Sequence, residues 1–250
     1  MFKKFILSVA IASFIPLSAQ ALELGVQGIY WAPTFDASLA VDGGTTFDPE
    51  DDFDVSDENI LGFRAFAGIG SHHLSISAFD FSFSGTDYVT QDISFGGSPI
   101  VTVGSEASMD LDYTMVDLAY RYDLIDLENV AAGFSIGPVL QAKIFDGTLE
   151  VTDEGTNTSD SADFSAVVPM VGVGLHVGIL ADLLELRAQV TGMGYDGNNI
   201  IDAYGEVVFS PLPLIEIAAG YRTLQIDVEA DDVDLDVDKQ GIYGSLGISF

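Results

Sequence analysis

Beyond residue 21 the chain has no run of about 20 apolar residues, the length a helix needs to cross a bilayer, although 48% of it is hydrophobic. The apolar residues fall instead at every second position. In 183–194, Leu184, Leu186, Ala188 and Val190 occupy one face of an extended chain, and Glu185, Arg187, Gln189 and Thr191 the other. In 214–227, Ile215, Ile217, Ala219 and Tyr221 oppose Glu216, Ala218, Gly220 and Arg222, and in 109–122, Val116, Leu118, Tyr120 and Tyr122 oppose Asp117 and Arg121. A period of two is the period of a strand. A soluble sandwich also alternates, but its apolar faces turn inward over a dry core. Here the second face carries charge, Gly and Gln in strand after strand, which suits a barrel whose apolar face meets lipid and whose polar face lines a lumen.

The spacing predicts an all-β, antiparallel transmembrane barrel of about ten strands, at 23–33, 60–70, 73–84, 109–122, 130–150, 165–179, 183–194, 201–210, 214–227 and 239–250. Short links (71–72, 123–129, 180–182, 211–213) alternate with long ones (34–59, 85–108, 151–164, 195–200, 228–238), the pattern of periplasmic turns and extracellular loops. Eight strands is the alternative, and 85–108 and 130–150 are where the count turns.

Residues 1–21 read as a removable signal peptide. Lys3 and Lys4 precede an apolar stretch from Phe5 to Leu17, and Ala19-Gln20-Ala21 supplies the small residues of a cleavage site. The barrel domain is then 22–250. Of the eight Lys+Arg, two leave with the signal, so six face 39 Asp+Glu in the mature chain. Such a balance excludes a sequence-independent nucleic-acid binder, which must neutralise phosphates with cations. Disorder is excluded by the hydrophobic content. Cysteine is absent, so neither disulfides nor thiolate metal sites hold the fold.

The last strand runs Gly241-Ile-Tyr-Gly-Ser-Leu-Gly-Ile-Ser-Phe250, with Ile242, Leu246, Ile248 and Phe250 on one face. Here the sequence resembles Gram-negative outer-membrane barrel proteins, whose closing strand ends on an aromatic residue. The resemblance implies that Phe250 is read by the barrel-assembly machinery. The stretch Tyr30-Trp31-Ala32-Pro33-Thr34-Phe35-Asp36 is similar to one found in a group of small barrels, a likeness that carries no mechanism. Tyr30 and Trp31 are expected in the upper interfacial girdle, and Tyr120, Tyr122 and Phe250 in the lower one.

Five of the six mature basic residues, Arg64, Arg121, Lys143, Arg187 and Arg222, fall on the lumenal face, with Asp117, Glu185, Glu206 and Glu216 beside them and Asp202 a further candidate. Counting from the turns puts Arg121, Arg187, Glu185, Glu206 and Glu216 at similar low depth. Such a set is either an ion-pair network that fills the lumen or a constriction that filters ions. The acidic segments 48–58 and 227–238 each hold seven carboxylates. The second alternates Asp with Val or Leu, so it is expected to continue the last hairpin as a ribbon. Asp232, Asp234, Asp236 and Asp238 are its candidate metal ligands, without the spacing of a dedicated calcium loop. A solvated rim sharing Ca²⁺ or Mg²⁺ loosely with lipopolysaccharide is the simpler expectation, and no resident cofactor is implied.

The histidines, His72, His73 and His176, all fall toward the periplasmic side. Omptin-like proteases and lipid-A acyl-modifying barrels place a histidine on or near the outer half, so no catalytic group is nominated. Three function classes follow in order: a narrow cation-preferring pore, since an anionic rim concentrates cations; a non-conducting structural or surface-interaction barrel; and, well behind, an enzyme. Outer-membrane lipid and lipopolysaccharide are the expected partners. The oligomeric state is left open.

Overall fold

A computed structural model describes residues 22–41, 44–95, 98–127, 133–180, 183–230 and 233–250. The predicted signal peptide and Asp232 lie outside them. Strands follow as β1 (Leu22–Val41), β2 (Ile60–Ile69), β3 (His72–Tyr88), β4 (Ile93–Phe95), β5 (Ser98–Val101), β6 (Glu106–Tyr122), β7 (Ile125–Asp126), β8 (Phe134–Asp153), β9 (Thr158–Gly178), β10 (Leu184–Tyr195), β11 (Asn198–Leu212), β12 (Ile215–Ala230) and β13 (Val233–Ser249), with one short helix, α1 (Pro49–Phe53), after β1. Ten of them close a ring in which every neighbour is antiparallel: β1, β2, β3, β6, β8, β9, β10, β11, β12 and β13. β7 lies beside β8 at the periplasmic mouth, and β4 and β5 form a separate hairpin inside the segment 85–108. The count of ten holds and the eight-strand alternative falls away.

The strands are longer than the alternation suggested. About 9–11 residues of tilted strand suffice to cross a bilayer, whereas β8 has 20 and β9 has 21. The surplus stands above the membrane, and there the barrel turns inside out. Along β3 the outward residues change from Leu74, Ile76 and Ala78 to Asp80, Ser82 and Ser84, while the inward ones change from His73, Ser75 and Ser77 to Phe79, Phe81 and Phe83. In β6 the outward run is Tyr122, Tyr120, Leu118 and Val116, then Thr114, Asp112 and Asp110; inward, Arg121 and Asp117 give way to Met115, Leu111 and Met109. β8 repeats the step between Ile144 and Asp146 outside and between Lys143 and Phe145 inside. The steps lie at one level, because Ser77 pairs with Asp117 and Asp117 with Lys143. Below it the apolar face meets lipid, and above it apolar side chains form a dry core inside a water-washed wall. The expectation of a polar inner face along whole strands is therefore corrected for the upper half. A closed ring with a lipid-facing belt is the form in which strands cross a membrane, and it places the chain in the outer membrane of a Gram-negative bacterium.

Two extracellular segments cap this core. After β1, Asp48 caps α1 by accepting from the Glu50 and Asp51 N–H groups (2.8 and 3.1 Å), with Pro49 in the first turn. Phe47, Phe53 and Val55 bury in the core, and so do Val89, Ile93 and Val101 from the β4–β5 region. A Cβ at Gly85 would collide with the Phe53 carbonyl, so only glycine lets this segment lie against β3. Asp52, expected on a solvated rim, is buried instead and accepts from Thr90 Oγ1 and Gln91 Nε2 (3.1 and 3.3 Å). Trp31, assigned above to the girdle, points inward with 1% exposure and packs edge-on against Phe79 and Phe81, while its neighbour Tyr30 faces out.

Phe83→Ala should lower the unfolding free energy by about 3–5 kcal/mol through the cavity it leaves. Lipid-facing Leu74→Ala should cost much less; urea titrations of the folded barrel, read by tryptophan fluorescence, compare the two.

Candidate functional site

Six side chains from five strands meet at mid-height on the axis. Lys143 on β8 contacts both Asp117 on β6 and Asp202 on β11, the second at 2.7 Å. Arg222 on β12 grips the same two carboxylates, through Nε to Asp202 at 3.0 Å and through Nη2 to each at 2.7 Å. Gln141 donates to Asp117 at 3.1 Å and accepts from Thr191 Oγ1 on β10 at 2.8 Å. All six residues are buried. Two cations and two carboxylates make the cluster neutral, which is what permits burial of four charges. Its upper surface is aromatic: the Arg222 guanidinium lies 5.3 Å from the Trp31 ring and 5.0 Å from that of Phe79. Charge cluster and aromatic core therefore abut with no room between them.

Below the cluster the lumen opens to the periplasm as a cavity of about 1040 Å³. Its wall carries a second set of pairs. Glu206 holds Arg64 at 3.3 Å and Tyr243 at 2.6 Å. Arg187 joins Glu185 (2.7 Å) to Glu216 (3.4 Å), and Glu216 accepts from Gln27 (2.8 Å) and Ser249 (2.9 Å). His176 lies 3.2 Å from Glu185. Arg121, counted with this group from its depth, turns instead to Asp123 at 2.8 Å, which His73 also contacts at 2.8 Å. Burial alone would raise the Asp123 carboxyl, but the His73 hydrogen bond and the Arg121 guanidinium outweigh it and hold it below the ordinary carboxylate range. His72 and His73 face opposite ways, His72 outward against the Tyr120 hydroxyl at 2.7 Å.

The nominated lumenal residues thus fall into two tiers, with Asp117, Lys143 and Arg222 in the upper one and Arg64, Arg121, Glu185, Arg187, Glu206 and Glu216 in the lower. Asp202 belongs at the centre of the upper tier. Asp234, Asp236 and Asp238 lie on the outer wall of the β12–β13 ribbon, opposite Glu229, Asp227 and Gln225 on β12. Among the described residues no group of three or more His, Cys, Asp or Glu is arranged to hold a metal ion. Phe250 lies at the periplasmic end of the seam, its backbone bonded in both directions to Leu24 (2.8 and 3.1 Å) and its ring exposed to lipid.

The sixth cation, Lys239, escaped the sequence reading. It points inward above the membrane among Phe35, Phe81, Phe83 and Tyr113, with the ammonium 4.4–4.6 Å from each ring and donating to the Tyr113 hydroxyl. Burial holds it well below its ordinary value of 10.5. Neighbouring carboxylates act oppositely on the outer wall: partial burial, then Asp112, Glu150 and Glu154, push Asp110 up.

No family model and no curated protein matches the chain. Among solved structures, the Ail attachment invasion locus protein of Yersinia pestis in complex with the heparin analogue sucrose octasulfate is similar over 92% of this chain and 99% of its own, at 13% identity and a TM-score of 0.36. The transport unit of the autotransporter AIDA-I from Escherichia coli is similar over 96% and 93%, at 12% identity and a TM-score of 0.44. OprG from Pseudomonas aeruginosa is similar over 92% and 97%, at 12% identity and a TM-score of 0.32.

Removing Asp202 leaves Lys143 and Arg222 sharing one carboxylate. Asp202→Ala should therefore destabilise the barrel by about 3–5 kcal/mol, and Lys143→Met in the same chain should restore part of the loss, read as a double-mutant cycle in urea. Because Lys239 binds its proton less tightly folded than unfolded, the unfolded state holds more protons between the depressed value and 10.5, so stability rises with pH through that window. The urea midpoint should climb as pH is raised toward about 10, and Lys239→Met should remove that slope.

Proposed function

We propose that this barrel is a non-conducting outer-membrane protein that works through its extracellular surface. The carrying observation is the buried cluster of Asp117, Lys143, Asp202 and Arg222, roofed by aromatic rings and then by the two capping segments. An ion crossing the lumen would have to break a neutral, fully paired cluster and then enter an apolar core, where a charge is expensive. The periplasmic cavity leads only as far as that cluster.

The outer surface supports the same reading. All six cations of the mature chain point into the lumen, so the described wall above the membrane presents carboxylates alone, among them Asp36, Asp80, Asp112, Asp146, Glu150 and Asp236. That field draws cations, including loosely held Ca²⁺ or Mg²⁺, and repels anions over a Debye length of about 8 Å at physiological salt. The cation-preferring pore remains the second reading. It needs the Asp117–Lys143–Asp202–Arg222 cluster to act as a gate, and the anionic rim favours it.

Planar-bilayer conductance of the folded barrel separates the two. A sealed barrel gives no discrete steps at moderate voltage in a salt gradient. Steps with a cation-selective reversal potential, enlarged by Arg222→Ala, would return the pore.

A further inference from the structure

β9 is paired on both sides only along its lower part. Its partner β10 runs beside Val171–Gly178, from Gly192 to Glu185, and then turns away into β11, while β8 continues alongside β9 to Thr158. From Thr158 to Met170 no described strand pairs with the second edge of β9. The direction of the free groups follows from the ladder. The Gly178 N–H donates to Gly133 on the β8 side and the Ile179 N–H to Leu184 on the β10 side, and the register with β8 is unbroken from Thr158 to Val177. Backbone groups alternate sides in an antiparallel strand, so Ser159, Ser161, Asp163, Ser165 and Val167 aim theirs at the open edge. Pro169 falls on the same side, where its missing donor does no harm. The Ser161 N–H is met there by the Asp160 carboxylate at 2.9 Å.

The gap also uncovers the core. Inward-facing Phe164 is 39% exposed, whereas inward Leu149 on β8, which is paired on both sides, is 3% exposed. Most exposed edges are blunted by lysine, a bulge or a covering loop. Among the described residues no lysine or bulge blunts these 13 residues and Pro169 alone removes a donor, while Asp160 and Asp163 place carboxylates along the strand.

We propose that the Thr158–Met170 edge of β9 is a docking site for an extended polypeptide segment that alternates apolar and basic residues. The inference rests on the surface-acting reading above and names the partner of that surface. Main-chain hydrogen bonds to the odd-numbered residues would extend the sheet. Alternate apolar side chains would cover Phe164 and the rim of the aromatic core, and the basic ones would face the acidic wall. Charge decides between candidate strands: a second copy of this chain would bring another acidic edge and be repelled, as like charges directly opposite are, whereas a lysine-bearing strand meets carboxylates.

The probe is a fluorescent nine-residue peptide alternating Val and Lys, titrated by anisotropy into the folded barrel in lipid nanodiscs. Saturable binding is expected, with at least a tenfold loss for the Val/Glu peptide and for the Val/Lys peptide N-methylated at alternate residues. Ser161→Pro with Ser165→Pro removes two edge donors while keeping every charge and the β8 ladder, and should weaken binding at least tenfold. The methylated peptide makes the same comparison without altering the protein. Binding that survives both changes is diffuse adhesion to an acidic wall and overturns the proposal, as does no binding, or self-association through this edge. If the peptide fails while the barrel stays electrically silent, the edge assignment falls and the sealed-barrel reading stands.

Discussion

Everything in this molecule depends on closing the hydrogen-bonded ring. In hydrocarbon no water is available to a strand's N–H and C=O groups, and each one left bare costs several kcal/mol. The β1–β13 seam answers this over the full height of the barrel, from Gly25 opposite Ser249 to Val41 opposite Val233, and the terminal residue completes it through Leu24. Once the ring is closed, side chains have only two places to go. Everything pointing inward shares one narrow space, and this is why residues as far apart as Arg64 and Glu206, or Asp117 and Arg222, become partners.

How that space is filled sets the division of labour along the axis. Charges are tolerated at mid-height because they come as a neutral set with nearly every donor engaged. Aromatic rings then take over where the wall leaves the lipid. The two fillings meet at Arg222, whose guanidinium binds carboxylates in its plane and lies against rings on its face, a geometry that lysine could not reproduce. Lys239 is the exception that tests the rule: an ammonium without a described carboxylate partner, held by four rings.

Strand existence, order and antiparallel pairing were legible because period-two alternation survives any local detail. What alternation cannot say is which face is inside. Phe79-Asp80-Phe81-Ser82-Phe83-Ser84 reads as a membrane strand, yet its apolar face is the interior one. Period two is blind to the exchange, and only the chain's passage out of the lipid distinguishes the cases. Trp31 was misplaced for the same reason. Capping of α1 was readable in Asp48-Pro49 but was hidden within a run that looked merely acidic. For the lumen, side-chain parity picks out residues that turn inward but says nothing of the tiers: pairing across the axis depends on strand tilt and shear, which no single strand encodes. The bare edge of β9 was unreadable for a related reason, since it results from β10 being shorter than its neighbour.

The step at which the wall changes from Ala78, Val116, Ile144 and Val167 to Asp80, Thr114, Asp146 and Ser165 also acts as a depth gauge. Sinking the barrel by one pair of residues along these four strands would drag Asp80, Asp146 and two hydroxyls into hydrocarbon, and raising it by the same amount would bare four aliphatic side chains to water. Either displacement is opposed on four adjacent strands at once, so this side of the wall should sit at a fixed height. A bilayer of a different thickness would have to adapt to the protein.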